Sequence, residues 1–104
     1  MKHPTSDVER EYRRAKRETQ VLDKAEKAVY ERPDSYGAPE DSFDKIASMW
    51  GGYLGVEITA DDVANMMVLL KVARNAEGEY HEDNWVDIAG YAECGARVQG
   101  DDAE

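Results

Sequence analysis

The sequence holds one cysteine, Cys94, two histidines, three prolines and a single phenylalanine in 104 residues. One thiol excludes an internal disulfide and any multi-cysteine metal centre. Cys94 sits among small residues with no basic neighbour in sequence, which is the setting of an inert packing cysteine. His3 and His81 stand alone, so no paired-histidine metal motif exists. No apolar run approaches the roughly 20 residues of a membrane span. The opening MKHPTSDVEREYRR also lacks the apolar centre of a secretory signal. Glycine-rich phosphate loops are missing as well, because MWGGY and YLGV fit no P-loop spacing. These absences give the expectation of a soluble, cytoplasmic protein with no membrane association.

Positive charge is scarce, and its placement is uneven. Thirteen Lys and Arg face 23 Asp and Glu, for a net charge of −10. Residues 1–32 carry nine basic and seven acidic residues, so the acidity belongs to residues 33–104, with four basic and sixteen acidic. Such a surface repels nucleic acid and attracts cations. The first helix leans basic, but its charges alternate in sign as on an ordinary solvated helix, which argues against nucleic-acid binding. Strong acidity with few lysines also fits a salt-adapted source, such as a haloarchaeon or its virus.

Punctuation and periodicity divide the single domain 1–104 into four expected helices, with flexible tails over 1–6 and 99–104 and a core region over 35–98. The charged first helix spans residues 7–31, with Val8, Tyr12, Ala15, Thr19, Leu22 and Val29 on one seam, and Pro33 ends it. Pro39, Glu40 and Asp41 suit the start of a second helix, whose stripe is Phe43, Ile46, Ala47, Trp50 and Leu54; Gly51 and Gly52 interrupt it late. Thr59 with Asp62 is an acidic capping box before a third helix faced with Val63, Met66, Met67 and Leu70. The fourth runs from about Asp83 to Val98, with Trp85, Ile88, Ala89, Ala92 and Ala96 along one side. No segment alternates as a strand does. The expected fold is all-α, a small antiparallel bundle of about four helices.

Two helix starts carry carboxylates one turn apart, Glu40 with Asp44 and Asp83 with Asp87, and this spacing puts each pair on one face. Convergence of the two pairs would make an oxygen-rich site suited to Mg²⁺ or Mn²⁺. Helix N-termini also favour acidic residues for stability alone, which accounts for Glu40, Asp41 and Asp83 better than for Asp44 and Asp87. Lys71 and Arg74 are the only basic residues between Ile46 and Ala96. They either snorkel and pair with acidic neighbours or recognise phosphate. Tyr36, Trp50 and Trp85 offer flat faces for a nucleobase, and Asn84 offers a base-reading amide; core packing and helix capping are the competing roles.

The blocks YGAPEDSFDKIASMW, DDVANMMVLLKVAR and DNWVDIAGYAECGA, in this order over residues 35–97, resemble a small all-helical family of phages and prokaryotes. More remotely, the chain is similar to MazG-like all-α nucleotide pyrophosphohydrolases. Those bind Mg²⁺ through a Glu-Glu-x-x-Glu motif and a later Glu-x-x-Asp motif. Glu40, Asp41 and Asp44 match the first spacing, whereas Asp83 and Asp87 stand one residue further apart than the second, closer to the variant of the dimeric dUTPases. The resemblance implies Mg²⁺ on Glu40, Asp44, Asp83 and Asp87 and a nucleotide substrate. Asp87, Lys71 and Arg74 would then be catalytic, with Tyr36, Trp50, Asn84 and Trp85 against the substrate. It also implies a homo-oligomer, with the Ala- and Gly-rich face of the last helix at the contact. The rival expectation is a non-catalytic helical module whose Asp and Arg residues fix helix register.

Overall fold

A computed structural model describes residues 4–31 and 37–103, and helix is the regular secondary structure among them, with no strand among the described residues. Among the described residues five helices follow in order: α1 (Pro4–Thr19), α2 (Val21–Tyr30), α3 (Pro39–Leu54), α4 (Ala60–Ala76) and α5 (Glu82–Ala103). The all-α expectation holds. The single helix expected over 7–31 is instead two, because Gln20 adopts a left-handed conformation at φ 52°. That turn separates the expected seam: Val8, Tyr12 and Leu22 are exposed, and of the seam Val29 reaches the core. α1 is a solvated helix with Asp7–Arg10 and Glu9–Arg13 ion pairs one turn apart.

α5 is the hub of the bundle and packs on α2, α3 and α4; α3 also packs on α4. The core joins Val29, Phe43, Ala47, Ala60, Val63, Ala64, Cys94 and Val98. α5 contributes Val86, Gly90, Cys94 and Val98, spaced by four, whereas Trp85, Ala92 and Ala96 are exposed. The buried face of α5 is therefore rotated from the expected one. Small residues do permit close packing, but inside the chain: a Cβ on Gly95 would lie 3.1 Å from the Ala64 Cβ on α4. Met66 and Leu70 likewise leave the expected α4 face, and Ala60, Val63 and Ala64 fill it.

The ends obey local chemistry. Pro39 opens α3, and α4 begins with the expected capping box: the Asp62 N–H donates to the Thr59 hydroxyl and the Thr59 N–H to the Asp62 carboxylate. Helix α3 runs through Gly51 and Gly52 to Leu54 and ends on Gly55 at φ 72°. Gly51 serves the chain reversal that follows, since a Cβ there would stand 2.7 Å from the Val56 carbonyl oxygen.

Candidate functional site

Four helices leave a cleft of about 390 Å³ between them. Its floor holds Val63, fully buried, and Cys94; α3 contributes Phe43, Ile46 and Trp50, α4 Met67, and α5 Gly90 and Tyr91. The Phe43 and Tyr91 rings are tilted at 38° with centroids 6.3 Å apart. Two polar side chains enter this apolar lining, Ser42 from α3 and Asp87 from α5. Asp87 is held there by Lys71, whose ammonium lies 2.9 Å from its carboxylate. Lys71 follows Met67 by one turn of α4, so its stem continues the apolar wall while its charge reaches across to α5.

A second polar cluster ties α2, α3 and α5 together. Arg97 donates to both oxygens of Glu40, at 2.8 Å from Nε and 3.1 Å from Nη2. This two-pronged contact suits the planar guanidinium. The same guanidinium lies 5.3 Å from the centre of the Tyr30 ring, and the Tyr30 hydroxyl donates to Glu93. Burial of the guanidinium opposes its charge, but the Glu40 carboxylate beside it outweighs this and raises the Arg97 pKa. The Tyr30 phenol is pushed up, chiefly by its hydrogen bond to Glu93. Sequence reasoning missed Tyr30, Glu93 and Arg97. Arg97 lies outside the acidic stretch in which Lys71 and Arg74 stood out, and no spacing rule links it to Glu40, 57 residues away.

The expected site residues separate into distinct places. Trp50 and Asp87 both line the cleft, and Lys71 is joined to it through its ion pair with Asp87. Arg74, in the last turn of α4, is exposed. Trp85 is half exposed and lines a separate shallow groove with Tyr80, Thr19 and Val21. Asn84 is buried in the first turn of α5, where its backbone N–H donates to the His81 carbonyl. Tyr36 lies outside the described residues.

The four expected metal ligands are also apart within one chain. Glu40 is taken up by Arg97 and Asp87 by Lys71, while Asp44 and Asp83 are exposed. Arg97 and Asp87 are separated by ten residues of α5, about 15 Å of helix. Asp83 instead lies near Lys24, which bonds Glu82 at 2.6 Å. Among the described residues no three His, Cys, Asp or Glu side chains come together to hold a metal ion. Also among the described residues, no helix is long and apolar enough to cross a membrane.

A family profile, "Domain of unknown function (DUF6378)", matches residues 20–99. The chain belongs to the DUF6378 family. The DUF6378 match begins at Gln20, where the left-handed turn separates α1 from α2, and it takes in all four helices around the cleft. The Gene 55 protein of Mycobacterium phage D29 is 41% identical over 85 residues, covering 81% of this chain and 56% of the relative. The Gene 55 protein of Mycobacterium phage L5 is 49% identical over 74 residues, covering 69% of this chain and 47% of the relative. The chain thus spans about half the length of the curated relatives it matches. No solved structure matches. These relatives bear out the likeness to a phage family; a likeness to MazG-like enzymes is not part of what they show.

Proposed function

We propose that this DUF6378 domain binds a nucleotide, with its base in the cleft between α2, α3, α4 and α5. The cleft carries the proposal. Its volume of about 390 Å³ falls within the range of small-molecule sites, roughly 300–1,000 Å³. Phe43, Trp50 and Tyr91 supply flat walls against which a base can stack. At the rim, the Asp87 carboxylate can accept from the amino edge of a base, and the Lys71 ammonium is a point charge for phosphate. Binding would exchange the internal Lys71–Asp87 pair for contacts to the ligand.

Mg²⁺-dependent release of pyrophosphate is the catalytic form of this reading. It requires Glu40, Asp44, Asp83 and Asp87 to act together, with Lys71 and Arg74 on the phosphates, and so needs carboxylates brought from more than one chain. The competing reading is a helical module without catalysis. The cation-held carboxylates favour it, since Lys71–Asp87 joins α4 to α5 and Arg97–Glu40 joins α5 to α3.

Trp85→Phe leaves Trp50 as the single tryptophan and therefore a reporter inside the cleft. Titration of this variant with a panel of deoxynucleotides, with and without Mg²⁺, should quench the Trp50 emission and raise Tm. Pyrophosphate release measured in the same samples tests the catalytic form. If millimolar nucleotide causes neither quenching nor a thermal shift, the binding proposal fails and the helical module stands.

A further inference from the structure

Helix α4 carries apolar residues on its outer side as well as on the side that faces the bundle, with Asp61, Asp62, Asn65, Lys71, Arg74 and Asn75 as its polar positions. The bundle covers half of it. Ala60, Val63 and Ala64 are buried against the other helices, while Met66, Leu69, Leu70, Val72, Ala73 and Ala76 are exposed, Leu69 at 65%. Between Asp62 and Arg74 the exposed positions carry no charge, Asn65 being the one polar residue among them, in a chain whose residues are 35% charged. The charged Lys71 points the other way, to Asp87.

We propose that this face pairs α4 with α4 of a second copy, antiparallel, to form a weak symmetric dimer. The occupant follows from the order of side-chain sizes. Met66, Leu69, Ala73 and Ala76 recur at steps of three, four and three, the seam of a paired helix. The two large residues come first and the two small ones last. An antiparallel copy related by a two-fold axis at position 71 places Met66 against Ala76 of the second copy, and Leu69 against its Ala73. Each bulky side chain then meets a small one, and the surface is complementary to itself, as a two-fold interface must be. A parallel copy would oppose Met66 to Met66 and leave the alanines facing each other across a gap.

The area sets the strength. The exposed α4 residues present on the order of 400 Å² of largely apolar surface, about half of the ~800 Å² that each partner contributes to a standard stable interface. A concentration-dependent dimer is therefore expected. The proposal does not rest on nucleotide binding, because the cleft lies on the covered side of α4.

Sedimentation velocity from about 10 to about 500 µM protein spans the dissociation constants expected of an interface this small. The average mass should climb from 11.7 kDa towards twice that value. Leu69→Asp should stay at 11.7 kDa with unchanged helical circular dichroism. A mass of 11.7 kDa at every concentration overturns the proposal and leaves the face to a different protein or to a further segment such as the longer relatives carry. A rise in mass equal in Leu69→Asp overturns it as well. Orientation is read by oxidising Leu69→Cys, Ala73→Cys and their mixture against the wild type, whose Cys94 is buried. Cross-linking should be strong in the mixture and weak in either variant alone; strong cross-linking in each alone would refute the antiparallel register.

Discussion

Removing either partner of Lys71–Asp87 should destabilise the protein unequally, and the inequality follows from burial. The Lys71 side chain is 15% exposed and that of Asp87 is 40% exposed, with 2.9 Å between ammonium and carboxylate. Fully exposed pairs contribute about 0.2–1 kcal/mol, and breaking a buried pair costs about 3–5 kcal/mol. Asp87 is open enough for water to screen it, so the coupling belongs near the lower range, about 1 kcal/mol. Asp87→Asn leaves the charge of Lys71 without its partner on a largely covered stem, at a cost of about 1–2 kcal/mol. Lys71→Met keeps the stem packing and lets the Asp87 carboxylate turn to water, at a cost below about 1 kcal/mol. For a domain of this size each kcal/mol moves Tm by about 4–8 °C, so both effects are measurable by thermal and urea unfolding. The double variant should recover the coupling, and the coupling should shrink at high salt. A zero coupling, or a larger loss from Lys71→Met than from Asp87→Asn, would refute this account of the pair. Nucleotide titration of the same variants separates function from structure. If Asp87 also contacts a base, Asp87→Asn weakens binding at temperatures where the variant remains fully folded.

Adjacent glycines in α3 should respond with opposite signs. Gly52→Ala meets nothing within 4 Å and should stabilise by about 0.5–1 kcal/mol through helix propensity. Gly51→Ala brings a Cβ to 2.7 Å from the Val56 carbonyl oxygen and should destabilise by about 1–2 kcal/mol net; equal urea midpoints for the two would count against the close approach. Thr59→Ala removes the hydroxyl that caps α4 and should cost about 1 kcal/mol, again read from urea unfolding. Tyr30 titrates late because its hydrogen bond to Glu93 needs the phenolic proton. The folded state holds that proton more tightly than the unfolded chain. The bond's contribution is therefore complete below about pH 10 and is lost as pH rises through the raised value. The ultraviolet tyrosinate titration of the wild type minus Tyr30→Phe should show this late step, and Glu93→Gln should bring it back towards the ordinary range.

Where local chemistry governs, the sequence was readable. Pro39, the Thr59–Asp62 box and the all-helical periodicity each depend on residues within a turn of one another, and each stands as expected. The charge alternation of α1 reads equally well, as ion pairs along one helix. Gln20 was not legible, because a left-handed residue other than glycine has no strong compositional signal and the apolar seam runs across it without interruption. The faces of α4 and α5 were misjudged for a related reason. Their sequences are apolar or small on nearly every side, so periodicity chooses no direction, and packing chooses instead. Gly95 lets α5 approach Ala64, which turns Cys94 and Val98 inward and leaves Ala92 and Ala96 outside.

The candidate site divides along the same line. Asp87 stood out as a carboxylate that helix capping explains less well, and Lys71 as one of two cations in an acidic stretch, for which pairing with an acidic neighbour was one of the two expected roles. The Tyr30, Glu40, Glu93 and Arg97 cluster was hidden because it joins three helices through contacts 57 and 63 residues apart in sequence. Its bearing on the proposed nucleotide binding would be indirect. Arg97 holds Glu40 at the start of α3, and α3 carries Phe43 and Trp50, which form one wall of the cleft. Lys71 fixes the facing wall by joining α4 to α5. The two ion pairs therefore set the spacing between the aromatic residues of α3 and the Asp87 face of α5, the spacing on which stacking of a flat ligand would depend. A cation that holds a helix and a cation that meets a phosphate are chemically the same group, so under the proposed nucleotide binding Lys71 would leave Asp87 for the ligand, whereas in a helical module it would serve the bundle alone.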